Sequence, residues 1–260
     1  MSQEFEKQSR KIADSSGFPL QILIADIVHK SNKWRVVLEE HPWVSDVTQS
    51  EDFIDIIIQG EDKDFQAMVI ECKRVRQTKW VFIIPDYSSK KTNNFRIWES
   101  RYADSRWQFF GYFDDHADPE SYESKFCAIE GQTNGRKTLL ERTASALVDS
   151  VEALAEQEKS LKRSQHHSFS RVYIPVIVTT AELSVAFVDP PSISLKEGSL
   201  SPETVCEPVS YIRFRKSLSG RIVPALHESL EDAHKATARS VFVVTAEGFA
   251  EFLDKWKLKG

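Results

Sequence analysis

The sequence has few cysteines and no long apolar run. Its three cysteines, Cys72, Cys127 and Cys206, lie far apart and lack the C-x-x-C spacing of zinc and redox sites. We therefore expect reduced thiols rather than a disulfide framework. No segment approaches the roughly 20 apolar residues needed to cross a bilayer, and the first residues are polar rather than basic and then apolar. These absences favour a cytoplasmic protein that does not enter a membrane.

Two common functional signatures are missing as well. No glycine-rich phosphate-binding loop is present, which argues against an NTPase. His166 and His167 have no cysteine or further histidine at ligand spacing, so we expect a solvated loop rather than a zinc site. The net charge of −5 provides no overall positive field to attract nucleic acid. Any such binding must come from local basic clusters, such as residues 73–79 and 211–221.

The hydrophobic pattern alternates between helical and extended segments, which is typical of an α/β fold. Helices are predicted at residues 3–16, 137–162 and 247–259. Strands are predicted near residues 34–44, 53–58, 67–73, 171–179, 209–216 and 240–246. Residues 19–29 fit a strand or a short buried helix equally well, and residues 185–189 could extend the strand at 171–179 or pair with it. The expected fold is a central mixed sheet with helices on both faces.

The chain length of 260 residues lies near the upper end for one domain. We expect a single domain with a core at about 4–180, an insertion at about 85–128 and a C-terminal elaboration at about 181–260. The insertion is aromatic and charged, and we expect it to contain a short helix. Its aromatic residues could pack the insertion or an oligomer contact, or could stack on bases of a single strand; they include Trp98, Trp107, Phe109 and Phe110.

Ionisable residues interrupt two apolar strands that are predicted to be neighbours. Asp55 lies within the run at 53–58, and Glu71 and Lys73 end the run at 67–73. The segment between the runs contains Gly and Asp residues that suit a hairpin, so an antiparallel pair is expected. Glu71 and Lys73 share a face because side chains alternate along a strand, and Asp55 can lie across from them. Aspartate is depleted in strands, so Asp55 requires a partner there.

Two carboxylates and an amine at one sheet edge suit a hydrolytic metal site. Asp55 and Glu71 provide the hard oxygen ligands that Mg²⁺ or Mn²⁺ prefers, and the backbone carbonyl of Cys72 could add a further oxygen. A divalent ion there would support phosphodiester hydrolysis, and Lys73 could orient the attacking water or offset negative charge in the transition state. The alternative is a purely structural ion pair, because Glu and Lys two residues apart are common on solvated strand faces.

The arrangement resembles the PD-(D/E)XK nuclease superfamily, which has the restriction-endonuclease-like fold. Asp55 corresponds to the Asp of the motif, although Ile54 stands where many members have Pro, and Glu71-Cys72-Lys73 corresponds to (D/E)-x-K. The segment 5–18 is similar to the opening helix of Mrr-like members, which implies that Glu6 is a carboxylate facing the metal site. Glu39 and Glu40 are rival third carboxylates.

This resemblance implies a Mg²⁺-dependent endonuclease that acts on nucleic acid, DNA in the first instance, and that could serve in restriction or defence against foreign DNA. Arg74, Arg76 and Lys79 are expected to contact the nucleic acid. A homo-oligomer or a partner subunit is compatible with the sequence. The alternative function is a catalytically silent nuclease-like domain that binds nucleic acid or a protein within a larger complex.

Overall fold

The computed structural model describes residues 3–45, 49, 51–60, 65–103, 106–132, 137–162, 168–218 and 229–259. Five α-helices lie within these residues: Gln3–Ser15 (α1), Phe18–His29 (α2), Leu139–Lys162 (α3), Leu230–Thr237 (α4) and Phe249–Lys255 (α5). None of these described helices is both long and apolar enough to span a membrane. His166 and His167, for which the sequence predicts a solvated loop, fall outside the described residues.

The strands of the described residues fall into two sheets. They are Trp34–Val44 (β1), Glu51–Gly60 (β2), Gln66–Lys73 (β3), Lys79–Pro85 (β4), Thr92–Ala103 (β5), Arg106–Ser121 (β6), Glu123–Ser124 (β7), Phe126–Ile129 (β8), Phe169–Thr179 (β9), Glu182–Val188 (β10), Val205–Pro208 (β11), Tyr211–Ser217 (β12), Ala238–Thr245 (β13) and Lys257–Leu258 (β14). Ten of them form the large sheet and four form the small sheet.

The large sheet is mixed, as the sequence predicts. Its main path runs β1-β2-β3-β9-β13-β12-β7. The pairs β1–β2 and β2–β3 are antiparallel, whereas β3–β9 and β9–β13 are parallel. The two strands at the centre, β3 and β9, are buried over most of their length. This burial on both faces explains their continuous apolar sequence.

Helices cover both faces of the large sheet. On β3, Ala67 and Val69 pack in the cluster that contains the apolar stripe of α3, whereas Met68 and Ile70 pack in the cluster that contains α2 and α5. Successive side chains of a strand point to opposite faces, so the two clusters lie on opposite sides of the sheet. The α/β class with a helix-flanked mixed sheet is therefore confirmed.

Residues 19–29 are helical, so the helix alternative is correct and the strand alternative is wrong. Pro19 lies in the first turn of α2, where its missing N–H costs nothing. The buried residues of this helix, Leu20, Ile24, Ala25 and Val28, recur at helical spacing and pack on β2 and β3. The apolar run is too short for its hydrophobic periodicity to distinguish a helix from a strand, so packing against the sheet decides its secondary structure.

The described residues of the segment 85–128, for which the sequence predicts an insertion containing a short helix, lie mainly in strands. Among these residues the helical part is one 3₁₀ turn at Asp86–Ser88, and the rest contains the long hairpin of β5 and β6. The hairpin joins the large sheet because β5 pairs with β9. Trp98, Phe110 and Tyr112 pack edge to face within it. These contacts agree with the packing role considered for its aromatic residues.

The small sheet has the order β11-β10-β4-β8. Residues 185–189 therefore do not extend or pair with β9, because β10 runs parallel to β4 instead. The C-terminal strands β12 and β13 belong to the large sheet, where β13 pairs with β9. The last 80 or so residues thus contribute both to the small sheet and to the central one.

Candidate functional site

The antiparallel pairing of β2 and β3 brings Asp55 and Glu71 to the same end of the ladder. Ile56 pairs with Ile70. Asp55 directly precedes Ile56 and Glu71 directly follows Ile70, so in antiparallel strands both acids lie beyond this pair at the same end. The backbone N–H of Cys72 donates a hydrogen bond to Asp55 Oδ2 at 2.6 Å. The carboxylate of Asp55 is therefore fixed against the strand that carries Glu71, as the sequence predicts.

Lys73 lies beside Glu71, as expected for residues two apart on one strand. Its Nζ is 3.6 Å from Glu71 Oε1, and both side chains are about two-thirds or more buried, with exposed fractions of 33% and 26%. The Lys73 carbonyl accepts hydrogen bonds from the Thr179 hydroxyl at 2.9 Å and the Thr180 N–H at 3.3 Å. These contacts with the end of β9 hold the Lys73 backbone in place, so the side chain that carries the ammonium starts from a fixed backbone position.

The Cys72 side chain is buried, but its backbone faces the acidic pair. The N–H and C=O groups of one strand residue point to the same side, and those of the next residue point to the other side. The Cys72 N–H is directed at Asp55, while the Lys73 carbonyl is directed at Thr179 on β9. We therefore expect the Cys72 carbonyl to lie on the Asp55 side, where it can serve as an oxygen donor.

Burial and mutual repulsion disfavour the charged forms of both carboxylates. Burial raises the pKa of Asp55 from 3.8 to about 6, although the hydrogen bond from Cys72 opposes the rise. Burial raises the pKa of Glu71 from 4.5 to about 7; the charge of Asp55 adds to this rise, and Lys73 opposes it. A nearby positive charge would stabilise the ionised forms of two acids held together in this way.

Two further side chains act on Asp55. Glu40, one of the rival carboxylates, is close enough for its charge to raise the pKa of Asp55, and its backbone has a φ of 49°. The Gln21 side chain in α2 acts in the opposite sense and lowers the pKa of Asp55. Sequence reasoning missed Gln21. The signal for Gln21 is a polar residue beside the buried Leu20, and this signal can be read only when residues 19–29 are known to be a helix.

Glu6 and Glu39 are not brought to the acidic pair by any contact among the described residues. Glu6 is exposed in the first turn of α1, a helix with no buried residue. Glu39 is also exposed and lies opposite Ile56 on the neighbouring strand. Of the three candidate third carboxylates, Glu40 is the one whose charge acts on Asp55.

A cleft of about 410 Å³, here called the basic cleft, adjoins Lys73. It is lined by Ser15, Ser16, Gly17, Cys72, Lys73, Arg74 and Arg76. Two of the three predicted nucleic-acid contacts, Arg74 and Arg76, therefore lie together next to the acidic pair. The third, Lys79, lies at the start of β4, does not line the cleft, and has its Nζ 3.6 Å from Glu182 Oε2.

The donor set is compatible with a hard divalent cation but supplies only part of its coordination. Within the described part of the chain, no group of three or more His, Cys, Asp or Glu side chains is arranged to hold a metal ion. Asp55 and Glu71 supply two carboxylates, and the Cys72 carbonyl is expected to supply a third oxygen. Mg²⁺ commonly binds one or two carboxylates and completes its shell with water and substrate phosphates, so these residues fit that mode.

Comparison of the chain with protein-family models, with curated proteins and with solved structures finds no match.

Proposed function

We propose that this protein is a metal-dependent nuclease that hydrolyses phosphodiester bonds in nucleic acid, DNA in the first instance, with a restriction-endonuclease-like arrangement of its core. The observation that carries the proposal is the juxtaposition of Asp55, Glu71 and Lys73. Asp55 is tied to the Cys72 backbone at 2.6 Å, and Lys73 lies 3.6 Å from Glu71. This is the constellation to which the PD-(D/E)XK resemblance points.

The carboxylates of Asp55 and Glu71 would hold Mg²⁺ or Mn²⁺, with the Cys72 carbonyl as a further donor. When bound there, the ion would polarise a phosphoryl oxygen and make a water molecule more acidic. The raised pKa values of both acids support this role, because a site with two crowded carboxylates has a deficit of positive charge.

Lys73 would act on the reacting groups rather than on the metal. Its ammonium lies 3.6 Å from Glu71 Oε1 at the end of β3, and the residue also lines the basic cleft. From this position it can orient the attacking water or offset the negative charge that develops on the phosphoryl group. Arg74 and Arg76 would hold the polyanionic substrate beside it, since phosphate contacts dominate affinity for nucleic acid.

Cleavage assays test the proposal directly. Plasmid, linear duplex, single-stranded DNA and RNA are incubated with the protein in Mg²⁺ and, separately, in EDTA. We expect cleavage of at least one substrate with Mg²⁺ and none in EDTA. Asp55→Ala should abolish the activity, whereas Asp26→Ala should retain it, because Asp26 is a half-exposed carboxylate of α2 that pairs with Lys30. Cleavage that persists in EDTA or in Asp55→Ala would contradict the proposal, and binding without cleavage of any substrate would favour the silent alternative.

A further inference from the structure

The basic cleft concentrates positive charge in a chain that is acidic overall. The whole sequence has 34 Lys and Arg residues against 39 Asp and Glu residues. In contrast, three of the cleft's lining residues, Lys73, Arg74 and Arg76, are cationic, and no acidic residue lines it within the described part of the chain. An ordinary solvated face of this protein would mix both signs. The composition of the cleft therefore points to an anionic ligand.

No residue that the structure describes neutralises Arg74 or Arg76. Neither guanidinium has an ion pair or a side-chain hydrogen bond with any residue that the structure describes, although Arg74 is only partly exposed. Two arginines of the large sheet are paired, in contrast: Arg171 bonds to Glu158, and Arg96 Nη1 is 2.6 Å from Asp114 Oδ2. Two unpaired guanidinium groups on one cleft leave ten N–H donors for an external partner, because each group carries five donors in a fixed fork.

The ligand that best matches the cleft is a phosphate group carried by a nucleotide. Guanidinium groups pair with phosphate oxygens in a bidentate manner. The volume of about 410 Å³ lies in the range of small-ligand sites and exceeds what an isolated phosphate needs. Gly17, which precedes the 12-residue helix α2, also lines the cleft, so the positive end of that helix adds to the side-chain charges.

We infer that the basic cleft binds the phosphate that neighbours the scissile phosphate along a polynucleotide strand. The inference rests on the proposed function, because it takes the Asp55 and Glu71 pair as the position of the scissile phosphate. Lys73 belongs to both places, because its ammonium is 3.6 Å from Glu71 Oε1 and the residue lines the cleft. A strand that crosses from the acidic pair into the cleft thus presents successive phosphates first to Lys73 and then to Arg74 and Arg76.

Equilibrium binding without metal tests the cleft separately from the reaction. Fluorescence anisotropy with a labelled single strand and its duplex is measured in EDTA, at several salt concentrations between about 50 and 200 mM. The test variant is Arg74→Gln/Arg76→Gln. Because Arg76 is exposed, Arg76→Gln alone should fold normally, so it is measured as a second variant in case the double variant has a folding defect. The control is Arg142→Gln/Lys196→Gln, which removes the same charge at exposed positions outside the cleft.

Loss of the two arginines that hold one phosphate should weaken binding and reduce the salt dependence. The magnitude of the slope of log K against log salt should fall by about 0.7 for the single strand and about 0.9 for the duplex in the test variant, because one phosphate is no longer neutralised. The control should keep the wild-type slope, and Arg76→Gln alone should show about half the change. A wild-type slope in the test variant, an equal change in the control, or no binding by the wild type would overturn the inference.

An internal phosphate is distinguished from a terminal one by matched oligonucleotides with a 5′-phosphate, a 3′-phosphate or hydroxyls at both ends. Equal affinity for all three supports an internal phosphate. A preference of about tenfold or more for one end phosphate, lost in Arg74→Gln/Arg76→Gln, would overturn that assignment. Cleft-dependent binding without any cleavage would refute the proposed reaction and leave the cleft as a phosphate-binding site with no scissile phosphate beside it. Cleavage together with an unchanged salt slope in the test variant would refute the cleft inference alone.

Discussion

Asp55→Asn should make the folded protein more stable at pH 8 in EDTA. The pKa of Asp55 is raised from 3.8 to about 6 and that of Glu71 from 4.5 to about 7. Between about pH 4 and pH 7 the folded state therefore holds protons that the unfolded chain has released. Since the folded state binds more protons in this range, stability falls as pH rises through it and stays at the lower value above it.

The size of the effect follows from the shift at Asp55. One pKa unit corresponds to about 1.4 kcal/mol, so a rise of roughly two units costs the folded state at most about 3 kcal/mol at pH 8. Asparagine keeps an oxygen that can accept the Cys72 N–H, but it loses the attraction to Lys73 that acts on the carboxylate. We expect a net gain of about 1–3 kcal/mol at pH 8. Little change is expected at pH 4, where the wild-type carboxyl is protonated in the folded state.

Urea unfolding at pH 4, 6 and 8 measures this difference. Asp26→Asn serves as the matched control, because Asp26 forms a surface pair with Lys30 and its side chain is 50% exposed. The control should change the free energy of unfolding by less than about 1 kcal/mol at every pH. The reasoning is refuted if Asp55→Asn is no more stable than wild type at pH 8, or if its gain is the same at pH 4 and pH 8.

Three further predictions concern the residues around the acidic pair. Calorimetry with Mn²⁺ should show binding to wild type and a marked loss in Asp55→Ala, and equal binding by both would rule out the site. Gln21→Leu removes a side chain that lowers the pKa of Asp55, so that pKa should rise and the pH midpoint of Mn²⁺ binding should move upward; an unchanged midpoint would argue against this effect. Thr179→Val removes the bond to the Lys73 carbonyl and the acceptor of the Ala181 N–H, so it should lower the free energy of unfolding by about 1–3 kcal/mol. Urea denaturation measures this loss, and a stability equal to wild type would contradict it.

The local arrangement of the acidic pair could be predicted because it depends on short-range rules. The Gly and Asp residues between the two apolar runs indicate a hairpin, and the alternation of side chains places Glu71 and Lys73 on one face. A carboxylate among isoleucines also signals a position that needs a partner. The structure places Asp55, Glu71 and Lys73 together as these rules require.

Features that depend on distant parts of the chain could not be predicted in the same way. β3 pairs with β9 about 100 residues later, and Thr179 reaches the Lys73 carbonyl only through that pairing. The β5–β6 hairpin shows no clear period of two, because many residues of β6 are only partly buried. Gln21 reaches Asp55 because α2 packs on β2, a contact that the ambiguous pattern of residues 19–29 does not reveal.

Cleavage by Lys73→Ala tests the central claim most directly. Lys73 is placed to act on the attacking water or the transition-state charge, so its loss should reduce Mg²⁺-dependent cleavage by about 10²-fold or more. Folding and Mn²⁺ binding should stay near wild type. Lys73→Arg should restore little, because a guanidinium is wider and does not readily release a proton. A merely structural pair with Glu71 would instead cost at most about 1 kcal/mol of stability. Metal-dependent cleavage by Lys73→Ala at the wild-type rate would contradict the account.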